Sequence, residues 1–461
     1  MPTPALPEAV FKAYDIRGIV PTQLNQPFSY ALGQALGAEC IRLGVPAVVV
    51  GYDGRHSSPE LAKALHEGIN SVGVDSVDVG LVPTPLVYYA AHVLKTGTAV
   101  AITGSHNPPE YNGFKMMLNG KTLYGDDIQQ IKRIMRQGVA VSEKSGECVS
   151  KNLIPQYIQE ICDSIHLARP IKVAIDCGNG AGAVLAKSLY EQLGCEVDML
   201  YGEVDGNFPN HHPDPAVPAN LSDLINHVQN SDCELGLAFD GDADRLGVIT
   251  RSGHIIWPDR QLVLYAQDVL ERNPGATIIY DVKCSRHVGL EVAKAGGSPL
   301  MWQTGHSLIK AKLAETGAPL AGEMSGHIFF KERWYGFDDG LYTGVRLLEI
   351  LSKHANPTEV LDALPQDIST PELKLEMQEG EPHAFVAQLQ QNGVFPTAIE
   401  RITIDGIRAE YPDGFGLARA SNTTPVVVLR FEAQTEAALQ RIQSEFREAI
   451  STLRPDLALP F

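Results

Sequence analysis

Asp240, Asp242 and Asp244 stand at alternating positions in Asp240-Gly241-Asp242-Ala243-Asp244-Arg245, directly after the apolar run that ends at Phe239. Three carboxylates on one tight loop supply hard oxygen ligands of the kind Mg2+ takes. An EF-hand is excluded: it requires Gly at loop position six and Glu at position twelve, and the chain has Arg245 and Arg251 there. Two alternatives remain open from the residues alone. One is a phosphatase whose D-x-D begins with an Asp nucleophile; the other is a solvated acidic turn.

Three further loops carry groups suited to chemistry. Thr103-Gly104-Ser105-His106-Asn107-Pro108 follows a short apolar run and differs from the G-x-S-x-G elbow of hydrolases. Ser105 beside His106 suggests an activated hydroxyl, although adjacent side chains often diverge; a turn-forming Ser with a cap-like Asn is the plain alternative. The loop continues to Lys115, which brings an ammonium. Gly322-Glu323-Met324-Ser325-Gly326-His327 offers a carboxylate, a hydroxyl and an imidazole, the groups needed to grip a polyol, with His327 a proton shuttle. Alone it reads equally as a strand-exit turn. Arg419-Ala420-Ser421-Asn422-Thr423-Thr424 combines a guanidinium with hydroxyls and backbone N–H groups, which suits a phosphate. Tyr14-Asp15-Ile16-Arg17 is another Arg-bearing turn. His211 and His212 lie among Pro and Asn and read as a proline-braced interdomain loop rather than a metal pair. Trp334 to Phe337 read as packing, with stacking on sugar as the alternative.

The elements that must position these groups repeat three times. A β-branched strand at 47–53, a helical segment, a strand at 73–80 and a strand at 98–102 lead into the Ser105 loop. The series recurs at 172–176, 194–201 and 234–239 before the Asp loop, and at 277–281, 298–302 and 319–321 before the Glu323 loop. Short apolar runs alternating with helix-length segments indicate parallel βαβ units, whose ligands sit at the carboxyl ends of the strands. The expected fold is α/β: three topologically related domains around a central cleft, followed by a C-terminal α+β domain. Polar stretches at 142–147, 251–254 and 363–371 divide these as 1–150, 151–253, 254–366 and 367–461. In the last, 425–431 reads as a strand, and Leu439, Ile442, Phe446 and Leu453 fall at helical spacing.

Composition limits the partners. At roughly 150 residues per domain, a chain of 461 residues exceeds one core. A hydrophobic fraction of 44% excludes a largely disordered chain. The formal charge of −18 opposes nucleic acid and anionic lipid, so neither nucleic-acid nor membrane partners are expected. The seven Cys have no CxxC pair, which reads as reduced thiols, and no leader or membrane-length apolar run is evident. A cytoplasmic monomer is expected.

The four loops, in this order, resemble those of the α-D-phosphohexomutase superfamily along essentially the whole chain. Details such as Phe11 to Gly18, Phe329 to Gly340 and the terminal Leu459-Pro460-Phe461 are most similar to its bacterial phosphomannomutase/phosphoglucomutase branch. The fourth loop departs from the commoner S-G-T-E-P while matching this branch. The resemblance implies that Ser105 carries a phosphoryl group and that Asp240, Asp242 and Asp244, with a phosphoserine oxygen from Ser105, hold Mg2+. It implies sugar contacts by Glu323 and Ser325, and a phosphate site of Arg419, Ser421, Asn422 and Thr423. Lys283, Gly305 and His306 match substrate-contacting positions, and Tyr14 and Arg17 lie at the cleft. Arg17, His106, Lys115, Arg245 and His327 complete the catalytic set, with Lys115 and His327 candidates for proton transfer. The implied reaction interconverts mannose 1- and 6-phosphates and glucose 1- and 6-phosphates through a hexose 1,6-bisphosphate, which also serves as primer. A phosphoglucosamine mutase, a Mg-dependent sugar-phosphate phosphatase and a non-catalytic sugar-phosphate-binding protein are the rival readings.

Overall fold

The computed structural model describes residues 6–422 and 424–461. Its first three sheets share one plan. In the first, Asp75–Leu81, Ala47–Tyr52 and Ala99–Ile102 pair in parallel, and Tyr111–Leu118 returns antiparallel beside the last. Glu196–Leu200, Lys172–Asp176, Leu235–Phe239 and the antiparallel Leu246–Thr250 repeat that order in the second. Ser298–Trp302, Thr277–Asp281, Leu320–Gly322 and the antiparallel Ile328–Phe330 repeat it in the third. Strands such as Ala99–Ile102 and Leu235–Phe239 are buried along their whole length, as their continuous apolar runs require. Because each third strand is followed by an antiparallel partner, the chain reverses at its carboxyl end. Those three reversals are the Ser105, Asp240 and Glu323 loops.

The fourth unit is an antiparallel sheet built on Val426–Ala433 and Gly414–Ala420, packed against helices Glu381–Asn392 and Glu436–Leu453. The polar stretch at 251–254 forms a hairpin turn: Ile255–Ile256 pairs antiparallel with Leu246–Thr250, so the second sheet runs on to Ile256. Helix Gly340–Leu351, within the third unit, packs between helix Pro258–Arg272 of that unit and strands Leu235–Phe239 and Leu246–Thr250 of the second, where Tyr190 donates to the Leu341 carbonyl at 2.9 Å. The first three units consequently share one apolar core that runs from Tyr89 through Tyr157 and Tyr190 to Trp334 and Tyr342. Trp334 stacks on Tyr342 with ring centroids 4.5 Å apart and is buried, so it packs rather than offering a face to sugar. His211 lies 3.0 Å from Asp176 and edge-on to Tyr201; no three-ligand cluster among the described residues includes it or His212. No helix of the described residues is long and apolar enough to cross a membrane.

The fourth unit has its own core, and its junction with the third is chiefly polar. Arg408 donates to the Val282 and Cys284 carbonyls at 2.7 and 2.6 Å. Arg430 pairs with Asp259 at 3.1 Å, and Glu432 accepts from the Ser285 hydroxyl at 2.7 Å. All four charged side chains are buried. Removing one partner of a buried charged pair costs about 3–5 kcal/mol, because the other is left uncompensated. Arg430→Met is therefore expected to destabilise the junction by that order, seen by calorimetry as an earlier transition for the fourth unit. A thermogram identical to that of the native protein would contradict the role given to this layer.

Candidate active site

Ser105, Asp240 and Glu323 come from three different sheets, and the loop reversals bring them to one cleft. Ser105 has a left-handed backbone with φ 49° and is buried. Its hydroxyl donates to Asp240 Oδ2 at 3.0 Å and lies 3.2 Å from His106 Nδ1. The two loops touch closely: a Cβ on Gly241 would sit 2.3 Å from the Ser105 carbonyl oxygen. Glycine is needed there for approach, not for conformation.

Arg55 holds the serine loop in place. Its guanidinium donates to the carbonyls of Ser105, Asn107, Pro108 and Tyr111 at 2.8, 2.6, 2.5 and 3.0 Å, and to Asp53 Oδ2 at 3.1 Å. Gly104 gives it room, since a Cβ there would lie 2.4 Å from the guanidinium carbon. Sequence reading missed Arg55 although a signal existed. It follows Asp53 and Gly54 at a strand exit, the feature used to single out the other loops, but at the end of a first strand rather than a third.

All three aspartates are fully buried, which removes the alternative of a solvated acidic turn. Thr84 N and the Thr84 hydroxyl bind the Asp242 carbonyl and Oδ2 at 3.0 and 2.6 Å, Ala181 N binds Gly241 O at 2.9 Å, and Gly340 N binds Ala243 O at 3.1 Å. The acidic loop is thus held by three neighbouring segments. Lys115, from the antiparallel fourth strand of the first sheet, donates to Asp242 Oδ2 at 2.7 Å and Asp244 Oδ2 at 2.5 Å. Burial disfavours the Lys115 charge, yet these two carboxylates hold its pKa well above the ordinary lysine value. Burial also opposes ionisation of Asp242, which Lys115 nevertheless keeps below the usual carboxylate range. Burial, then Asp244 and Asp242, push Asp240 well up.

A divalent cation suits this set. Asp242 Oδ1 and Asp244 Oδ1 are buried without hydrogen-bond partners, and the three carboxylates present oxygens within 4.8 Å of one another. Hard oxygen donors at that spacing match Mg2+ chemistry.

Cations and imidazoles surround the acids. Arg245 and His327 form a backbone bridge between the second and third units, and Arg245 Nε donates to His327 Nε2 at 3.1 Å. Because a guanidinium only donates, Nε2 carries the lone pair and the imidazole proton resides on Nδ1. His327 Nδ1 faces Asp338 Oδ2 at 3.1 Å and Asp244 Oδ1 at 3.6 Å. Lys310 holds the other Asp338 oxygen at 2.8 Å. Neither Lys310 nor Asp338 was singled out from sequence as a site residue. Arg17 donates to Asn107 Oδ1 and Asp15 Oδ2, each at 2.5 Å. Burial, reinforced by Arg245 and Arg17, lowers His106 well below the ordinary histidine value and keeps it neutral.

The remaining predicted residues form a second set of contacts that joins the first, third and fourth units. Glu323 accepts from Gly305 N at 2.5 Å, Ser325 donates to its other oxygen at 3.4 Å, and burial raises its pKa. His306 stacks on His327 with ring centroids 5.5 Å apart. Tyr14 donates to the Thr304 carbonyl at 2.9 Å and accepts from Asn422 of the fourth unit. Arg419 pairs with Asp405 at 3.0 Å, and Lys283 with Glu372 at 2.6 Å. Ser421 accepts from Thr424 N at 3.2 Å. Thr423 lies outside the described residues.

Comparison with known proteins covers the chain from end to end. Phosphoglucomutase/phosphomannomutase alpha/beta/alpha domains I, II and III match residues 8–141, 155–253 and 257–368, and the C-terminal domain of the same family matches 372–449. A phosphoglucomutase from Neisseria gonorrhoeae is 54% identical over 453 residues, with 98% of each chain covered. A phosphomannomutase/phosphoglucomutase from Pseudomonas aeruginosa is 52% identical over 460 residues, covering 99% of each. The solved structure of a phosphoglucomutase/phosphomannomutase family protein from Burkholderia thailandensis has 52% identity and a TM-score of 0.94, over 99% of this chain and all of that one.

Arg55→Lys tests the clamp: it keeps the charge but loses the planar fork that serves four carbonyls. Amides of residues 104–107 are expected to exchange with solvent deuterium at least about tenfold faster, the loss of one charge-assisted hydrogen bond or more. Unchanged exchange would show that the loop is held by other contacts.

Proposed function

The chain belongs to the phosphoglucomutase/phosphomannomutase family, and from that premise we propose that it interconverts the 1- and 6-phosphates of glucose and mannose by way of a phosphoryl group on Ser105. The observation that carries the reading is the buried Ser105 hydroxyl in contact with Asp240, beside two carboxylates that suit Mg2+. Asp240, Asp242 and Asp244, with an oxygen of the phosphoserine, would hold the ion, which supplies charge neutralisation at the transferring phosphoryl group.

In the proposed transfer, O6 of a hexose 1-phosphate attacks phosphorus. The O6–P bond forms as the bond to Ser105 Oγ breaks, O6 gives up its proton and Oγ gains one. The hexose 1,6-bisphosphate then turns end for end, and the phosphate on O1 returns to Ser105 by the reverse step. Catalysis of this kind rests on positioning and charge more than on covalent chemistry. Arg17, Arg245 and Lys115 supply positive charge. Lys115 and His327 would move the proton at the reacting hydroxyls, His327 once substrate releases its Nε2 from Arg245, and neutral His106 is the imidazole nearest Oγ. Arg419, Ser421, Asn422 and Thr423 would bind the phosphate that is not being transferred.

Glu323 and Ser325 would read the 3- and 4-hydroxyls, with Tyr14, Lys283, Gly305 and His306 lining the approach. Glucose and mannose differ at C2 alone, so that site tolerates both. The same reading carries a monomer in the cytoplasm, which seven unpaired cysteines suit.

A coupled assay across glucose, mannose and glucosamine 1-phosphates, with and without 1,6-bisphosphate primer, tests the assignment. Isomer is expected from glucose and mannose phosphates, with turnover lost in Ser105→Ala and phosphate mapped to the Ser105 peptide of the native protein. Release of free phosphate without isomer would favour a phosphatase, and preference for glucosamine phosphate would replace the sugar assignment. Arg419→Ala is expected to raise KM about tenfold or more, the worth of a charge-assisted hydrogen bond; unaltered KM and kcat would discard the phosphate site.

A further inference from the structure

A second cluster of metal-ligand side chains lies on the far edge of the second unit. Asp198 comes from the edge strand Glu196–Leu200, His227 from helix Ser222–Asn230, and Cys233 from the turn that enters Leu235–Phe239. His227 Nε2 and Cys233 Sγ both point at one oxygen, Asp198 Oδ2, at 3.1 and 3.3 Å. Cys233 and Asp240 lie before and after the same extended strand, which separates this cluster from the acidic loop by roughly 20 Å. The mutase chemistry therefore has no use for it.

We propose that Asp198, His227 and Cys233 form a zinc-binding site. Zinc takes thiolate, imidazole and carboxylate donors at about 2.3, 2.0 and 2.0 Å in a tetrahedron, whose edges are then about 3.3 Å for N···O and 3.5 Å for S···O. The observed separations fall within a few tenths of an ångström of those edges, and all three donor atoms lie within 4.8 Å of one another. Three protein ligands leave the fourth position for water, and His227 and Asp198 are half-exposed, so an ion has a path from solvent.

The local charge favours a cation. Lys172 is the ammonium near the cluster, 3.9 Å from Asp198 Oδ1, but Glu196 and Asp232 hold it at 2.8 and 2.6 Å. One positive charge thus faces three carboxylates. Without an ion, the thiol and the imidazole N–H each donate to Asp198. Binding releases the Cys233 proton to solvent as the Zn–S bond forms, and the imidazole proton moves by way of solvent from Nε2 to Nδ1, which frees the Nε2 lone pair for the ion.

The test uses the full-length protein, stripped with a chelator and held in excess Mg2+ to occupy the oxygen-ligand site. Titrated Co2+ is expected to produce a saturable thiolate-to-cobalt charge-transfer band at one equivalent, removed by Zn2+. Cys233→Ser should abolish the band. His227→Gln, on an exposed helix face, should weaken Co2+ binding by at least about 100-fold, more than loss of a supporting partner usually costs. Hexose phosphate turnover should be unchanged in both variants, so the result stands apart from the mutase assignment. No band in the native protein, a band surviving in Cys233→Ser, or undiminished affinity in His227→Gln overturns the proposal.

Discussion

Three carboxylates buried within one turn repel each other, and most of the cleft can be understood as the answer to that repulsion. Unit charges about 4 Å apart interact by on the order of 4 kcal/mol at the effective dielectric of a protein. A loop carrying three of them cannot stay buried on its own. Lys115 bridges Asp242 and Asp244, and Arg245 approaches Asp240 to 3.7 Å. Lys115 belongs to the first sheet and the acids to the second, so neutralising the acidic loop also docks the two units. A bound divalent ion would serve the same electrostatic need, which ties the resting charge balance of the protein to its chemistry.

The serine loop is organised by a different device. Ser105 sits in a left-handed conformation that a non-glycine residue holds only when its surroundings impose it. Arg55 imposes it by filling the loop from beneath and satisfying four carbonyls that the turn leaves without strand partners. Gly104 and Gly241 let the guanidinium and the acidic loop approach from opposite sides. The hydroxyl is thereby held at a fixed place relative to Asp240 before substrate arrives. Such preorganisation favours a reaction whose barrier is mostly a matter of placement.

The fourth unit is attached by other means. The first three share a continuous apolar core, whereas the fourth meets them through Arg408, Arg430, Asp259 and Glu432 and a small apolar contact of Val282 with Phe415 and Leu417. Polar junctions resemble transient interfaces more than domain cores. The unit that carries the proposed phosphate loop is also the one whose contacts could be exchanged without exposing a large apolar surface. Asn422 already reaches Tyr14 across the cleft, so the two sides are in contact.

Much of this was legible in the residues alone. The strands stood out because buried parallel strands are short, continuous apolar runs, and the site loops because each begins where such a run stops. Alternating Asp residues at 240, 242 and 244 marked a candidate cation site, with an Asp nucleophile and a solvated acidic turn as the alternatives. What could not be read was which distant groups answer those acids. Lys115 was visible as an ammonium on a loop, but its place between Asp242 and Asp244 depends on the docking of two sheets. Arg55, Lys310 and Asp338 were not singled out as site residues because their roles lie in contacts with segments 11 to 56 residues away. The hairpin at 251–254 and the packing of Gly340–Leu351 on the second unit likewise follow from shared burial. Sequence determines the local period and the chemical type of each side chain, since both are properties of near neighbours. Charge compensation and shared cores are properties of space, and tertiary structure alone decides them.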